Sequence, residues 1–128
     1  MSDAQKSSYA LILRANGEFE IIDWPTSGTL GILYTAIGCT SVEAVTISPR
    51  LTMWLDGEGL SNGAPINTHA TILYALHQEP HQHYQGTAVI TSGPENGVTQ
   101  GLTRDEIAQL VEFFLTFTGA RIPSQRTK

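Results

Sequence analysis

The residues best equipped for chemistry lie in one stretch, Met53 to Tyr74, which reads MWLDGEGLSNGAPINTHATILY. Asp56 and Glu58 set two carboxylates beside Gly57, Gly59 and Gly63, Asn62 and Asn67 add amides, and Trp54 and Tyr74 add aromatic faces. Glycine takes φ > 0 at no steric cost, so this loop can turn tightly and let a ligand approach the backbone. A strand end leading into a helix start also gathers unpaired amides at the positive helix end. The candidate binding set is therefore Trp54, Asp56, Gly57, Glu58, Gly59, Asn62, Gly63 and Asn67. A structural account competes with it: Asp56 and Asn67 bond the loop's own amides and leave nothing for a ligand.

Sharper signatures fail on spacing. A calcium-binding EF-hand wants oxygen ligands at loop positions one, three and five and glycine at six. Counted from Asp56, those last two places are Leu60 and Ser61. Gly57, Gly59 and Gly63 miss the G-x-G-x-x-G spacing of a dinucleotide fingerprint. His77, His81 and His83 could converge on zinc, but the segment QEPHQHYQ has the composition of an exposed connection, and no native metal or cofactor is expected there. Cys39 follows a predicted helix C-terminus, where the partial negative charge disfavours thiolate. No G-x-S-x-G elbow occurs. No catalytic residue is assigned.

The elements that must position these residues are legible in chain order. Tyr9 to Leu13 and Phe19 to Trp24 flank Asn16-Gly17, a hairpin signal. After Pro25, one of Thr26, Ser27 or Thr29 is expected to cap a short helix with Leu30, Leu33 and Ile37 on its inner face and Gly38 at its end. Gly31 weakens its first turn. Val42 to Ile47 and Leu51 to Leu55 read as strands joined through Ser48-Pro49-Arg50. A second helix runs from about Thr68 to His77 with Asn67 as N-cap, and Ala70, Leu73 and His77 or Leu76 face inward. Gly86 to Thr91 reads as a buried strand and residues 92–101 as a loop.

The last helix carries the strongest signals. Thr103 and Glu106 form a capping box, and Leu102 and Ile107 occupy the hydrophobic-staple positions around it. Ile107, Leu110, Val111, Phe113, Phe114, Leu115 and Phe117 cover an apolar arc of about 200° at helical spacing. That is wider than one sheet covers, so Leu110, Phe113, Phe114 and Phe117 are expected to form an interface, most simply of a homodimer. Gly119 ends the helix.

The order ββα-ββα-β-α predicts an α+β fold, a single domain over residues 9–119 with an antiparallel or mixed sheet packed against helices. Residues 1–8 and the basic tail 120–128 lie outside it. The chain has 128 residues, 41% of them hydrophobic and only 15% charged, with a net charge of −5. One cysteine excludes an internal disulfide and a Cys-based zinc site. No lysine occurs between Lys6 and Lys128, which argues against nucleic acid as a partner. No run of apolar residues approaches the roughly 20 needed to span a bilayer, so no membrane partner is expected. The polar N-terminus lacks the apolar core of a signal peptide, and the expected location is cytoplasmic.

The central stretch is similar to DUF3846, a family of small proteins of unknown function from bacteriophages, plasmids and bacterial genomes. The resemblance rests on Met53, Trp54, Leu55, Asp56, Glu58, Gly59, Leu60, Gly63, Pro65, Asn67, Ala70, Thr71 and Leu73, and extends from about Leu11 to Phe117. It implies a mobile-element setting and supplies no activity, substrate or catalytic residue. The leading expectation is a non-catalytic accessory protein that binds a host or element-encoded protein. The first alternative is a small-ligand binder, for a nucleotide-type molecule, using the Asp56–Asn67 loop. The second is a small hydrolase or transferase using Asp56, Glu58 or the histidines.

Overall fold

The computed structural model describes residues 8–25, 27–58, 63–77, 84–95 and 98–117. Its elements are β1 (Tyr9–Leu13), β2 (Phe19–Asp23), α1 (Thr29–Ile37), β3 (Val42–Ser48), β4 (Leu51–Asp56), α2 (Thr68–His77), β5 (Ala88–Thr91), β6 (Pro94–Glu95), β7 (Val98–Thr99) and α3 (Arg104–Phe117). The fold is α+β. Five strands form an antiparallel sheet in the order β2-β1-β5-β4-β3, and β6 and β7 form a separate ribbon within the stretch expected to be a loop.

Local sequence explains the two hairpins that flank the centre. Arg14 N–H donates to the Glu18 carbonyl and Gly17 N–H to the Arg14 carbonyl, both at 2.9 Å, with Gly17 at φ 94°. Asn16 Oδ1 accepts from Glu18 N–H at 3.0 Å, so the loop holds three residues, with glycine in the left-handed position such a hairpin requires. The β3–β4 hairpin carries an irregularity between Thr46 and Ser48. β5 then inserts between β1 and β4, and all four of its residues are buried. Its apolar run Ala88 to Ile90 follows from coverage on both faces.

Helices lie on both faces of the sheet. On one face, Leu11, Leu13, Met53, Leu55, Ala88 and Ile90 pack with Ala70 and Leu73 of α2 and with Ile107 and Phe114 of α3. On the other, Ala10, Ile12 and Val89 pack with Leu33 of α1 and with Trp24. Alternation along each strand thus feeds two cores. No described helix is long and apolar enough to cross a membrane.

The structure departs from expectation at α1. Its N-cap is Gly28, at φ 71°, with no side-chain capping bond, in place of Ser27 or Thr29; Thr26 lies outside the described residues. Leu30 is 48% exposed because the helix begins beyond the edge of the core, while Leu33 is buried and Gly38 closes the helix at φ 80° with its N–H on the Tyr34 carbonyl. On α2, Ala70 and Leu73 face inward as expected, but Leu76 is 52% exposed and His77 is exposed. Their place is taken by His69, one position before Ala70.

Candidate functional site

The capping signals of α2 determine what its preceding loop can do. Asn67 is fully buried. Its Oδ1 accepts the Ala70 N–H at 3.0 Å, and its Nδ2 donates to the carbonyls of Leu13 at 2.9 Å and Gly86 at 2.8 Å. Its main-chain N–H donates to the Tyr84 carbonyl at 2.7 Å, and its carbonyl accepts from Thr71 N–H at 3.0 Å. Both hydrogens of the side-chain amide are therefore engaged inside the chain. Asn67 is an N-cap and a tie between β1 and the approach to β5, and it does not face a ligand.

The other end of the loop is also tied internally. Asp56 Oδ1 accepts from Glu58 N–H at 2.9 Å, and Gly57 N–H donates to the Ser41 carbonyl at 2.8 Å. Gly57 does not adopt positive φ; a Cβ there would lie 3.1 Å from Ser41 Oγ, so close approach explains the glycine. Gly63 does adopt positive φ, at 70°. Glu58 is exposed, and Gly59 and Asn62 lie outside the described residues.

Trp54 points away from Met53 and Leu55, as strand alternation requires, but the opposite face is not open. The indole packs against the second core, and its Nε1–H donates to Thr91 Oγ1 at 3.0 Å. Tyr74, the other expected aromatic wall, meets Tyr84 edge-on at 5.1 Å. Burial, reinforced by Tyr74, pushes the Tyr84 phenol up to about 12. Arg50, the cation nearest the loop in sequence, pairs with Glu106 of α3.

The histidines and the cysteine divide differently. His77 Nδ1 lies 3.0 Å from the Leu73 carbonyl within its own helix, and His81 and His83 lie outside the described residues. Among the described residues no three metal-ligating side chains converge. Cys39 is half-buried; burial pushes its thiol up, and the Asp56 carboxylate adds to this against a main-chain hydrogen bond with Ser41. That thiol is poorly poised as a nucleophile.

His69 belongs to no sequence motif. It is 8% exposed and stands between Phe19 and Phe114, with ring centroids at 5.0 and 5.1 Å. Burial lowers its pKa. The available signal was its spacing: His69 and Leu73 are four residues apart and share the buried face with Ala70.

The last helix keeps its predicted start. Thr103 N–H donates to Glu106 Oε1 at 2.9 Å, and Glu106 N–H donates to Thr103 Oγ1 at 3.1 Å. Leu102 and Ile107 are both buried beside it. Its apolar arc is largely used by the chain's own core. Phe114, read from sequence as an interface residue, is fully buried against Phe19, His69 and Phe113. Leu110, Val111 and Phe113 are partly buried against the same cluster, and the Phe117 side chain lies outside what is described. Among the described residues, the outer flank of the helix carries a shallow concavity of about 370 Å³ lined by Gln109, Glu112, Phe113 and Thr116.

Two other concavities are formed by described residues. One, of about 680 Å³, lies between α1 and the β1–β2 hairpin, with Ile12, Ile22, Ile32 and Ala36 among its lining residues. The other, of about 560 Å³, lies where Arg50 and Glu106 meet the β6–β7 ribbon. Neither is lined by a residue between Trp54 and Asn67.

A family model described as "Domain of unknown function (DUF3846)" matches residues 7–115. No curated protein and no solved structure matches the chain.

Proposed function

The chain belongs to the DUF3846 family, and from that premise we propose that it is a non-catalytic accessory protein of a phage, plasmid or other mobile element that acts by binding another protein. The observation that carries this reading is the outer flank of α3, where the half-buried Phe113 lines a concavity with Gln109, Glu112 and Thr116. An aromatic side chain surrounded by polar groups is the arrangement that concentrates binding energy at protein interfaces. The small-ligand reading of the Asp56–Asn67 loop loses support, because Asn67 and Asp56 bond the chain's own amides and carbonyls.

The test is affinity capture with the native chain, a Phe113→Asp variant and a Glu58→Gln variant, each first checked for native circular dichroism. The expected result is a protein retained in stoichiometric amount by the native chain and by Glu58→Gln, and lost with Phe113→Asp. Equal retention by all three, or a small molecule found by native mass spectrometry and displaced by Glu58→Gln, would overturn the reading.

A further inference from the structure

One edge strand of the main sheet is β2, which no described element covers, and its backbone pattern can be read from two bonds at its ends. Arg14 N–H donates to the Glu18 carbonyl, and Trp24 N–H donates to the Ser8 carbonyl, both at 2.9 Å. Inter-strand bonding alternates along an antiparallel ladder. With Leu13 opposite Phe19 and Tyr9 opposite Asp23, the residues bonded inward to β1 are Glu18, Glu20, Ile22 and Trp24. The N–H and C=O groups of Phe19, Ile21 and Asp23 therefore point outward from the sheet. Ile21, the middle residue of the strand, is 52% exposed.

The usual protections of an edge strand are short length, bulges, charged side chains (lysine above all), prolines and covering elements. The opposite edge, β3, has its irregularity between Thr46 and Ser48. β2 reads FEIID and pairs with β1 in unbroken register; it carries neither lysine nor proline, and of its two acids Glu20 is neutralised by Arg14, leaving Asp23 at the strand end.

We infer that β2 is a dimerisation edge, pairing antiparallel with β2 of a second copy of this chain about a two-fold axis at Ile21, so that two five-stranded sheets become one of ten strands. In that register Ile21 meets its own counterpart, Phe19 meets Asp23, and Glu20 meets Ile22. All three outward-facing residues are then in hydrogen-bonded pairs. The same register eases the charge problem of joining two chains of net charge −5, with the two Glu20 residues only diagonal to each other across the axis. No acid lies directly opposite another acid, where like charges would repel. Each Glu20 is already paired with Arg14 of its own chain. A shift by one residue along the strand would instead set inward-bonded groups against the axis and lose the pairing. The axis also brings exposed Ile21 against Ile21 on the face shared with Phe19. This inference goes beyond the α3 reading, and either can fail without the other.

The experiment is sedimentation of the full chain from about 1 to about 100 µM, a range spanning common dimer affinities. It is run with Ile21→Lys, and with Ile21→Cys in a Cys39→Ser background. The native chain is expected to dimerise, and Ile21→Lys to weaken association at least about tenfold while keeping the native circular dichroism. Ile21→Cys is expected to be joined into a dimer by a short bis-maleimide reagent, because facing residues of such a pair have Cα atoms only about 5.5 Å apart. If Ile21→Lys fails to fold, the cross-link decides. A monomer throughout overturns the proposal. So does a dimer that ignores Ile21→Lys and does not cross-link, which would place the contact elsewhere, or an edge that takes only a strand of a different protein.

Discussion

The side-chain amide of Asn67 donates to the main-chain carbonyl of Leu13 at 2.9 Å, tying the start of α2 to the end of β1 across 54 residues of chain. The same amide holds the Gly86 carbonyl, and the oxygen caps α2 at Ala70. Loss of a helix cap alone costs about 1 kcal/mol. Here the substitution also removes two hydrogen bonds to main-chain carbonyls, each worth about 0.5–1.5 kcal/mol net. Asn67→Ala is expected to destabilise by about 2–4 kcal/mol in urea denaturation. A loss near 1 kcal/mol would mean that water reaches both carbonyls and that the residue is only a cap.

His69 should give the fold an acid-sensitive window. Burial holds its folded pKa below the ordinary histidine value of about 6.5. The unfolded chain therefore takes up the proton first, and stability falls as pH drops below about 6.5 until the folded pKa is passed. The contribution is fully present above that range. Urea midpoints measured between about pH 7 and about pH 5 should decline for the native chain and flatten for His69→Leu. An identical slope in the two proteins would assign the effect to another group.

A second titration belongs at lower pH. Partial burial raises the Glu106 carboxyl, but the Thr103 amide, the Arg50 guanidinium and the Thr103 side chain together outweigh it and hold the group below its ordinary value. A depressed folded pKa gives stability that is present above about pH 4.3 and is lost as pH falls through the folded value. The capping contacts should dominate, because the Arg50 side chain is 70% exposed and exposed ion pairs contribute under about 1 kcal/mol. Thr103→Ala should cost about 1 kcal/mol, and Arg50→Ala less. Thermal denaturation of the two variants side by side checks the order, and a larger loss from Arg50→Ala would reverse the assignment.

Gly63 and Gly57 should fail for different reasons. Gly63 has φ 70° with open space where a Cβ would stand. Gly63→Val should therefore cost about 1–3 kcal/mol through backbone strain, with Gly63→Asn milder because asparagine tolerates that region. At Gly57 the constraint is the neighbour, 3.1 Å away at Ser41 Oγ, so Ser41→Gly should rescue Gly57→Ala. Rescue of Gly63→Val by the same change would contradict this division.

What the sequence determined by itself is local. Asn16-Gly17 makes a hairpin, Gly38 closes α1, and Thr103 with Glu106 opens α3, because each signal acts over four residues or fewer and needs no other part of the chain. Asn67 as N-cap of α2 belongs to the same class. The period-two pattern of β4 likewise placed Met53 and Leu55 against Trp54. Only the tertiary structure decided what those faces meet. α1 covers the Trp54 side, so an expected binding wall became part of a second core. β5 enters between β1 and β4, which turned the Asn67 side chain into a bridge to Leu13 and Gly86. Phe114 and His69 met across 45 positions to fill one core, removing Phe114 from the interface that its helical arc had implied. Chain-local chemistry sets periodicity, caps and turns, whereas the burial of a given face depends on which distant element removes it from water.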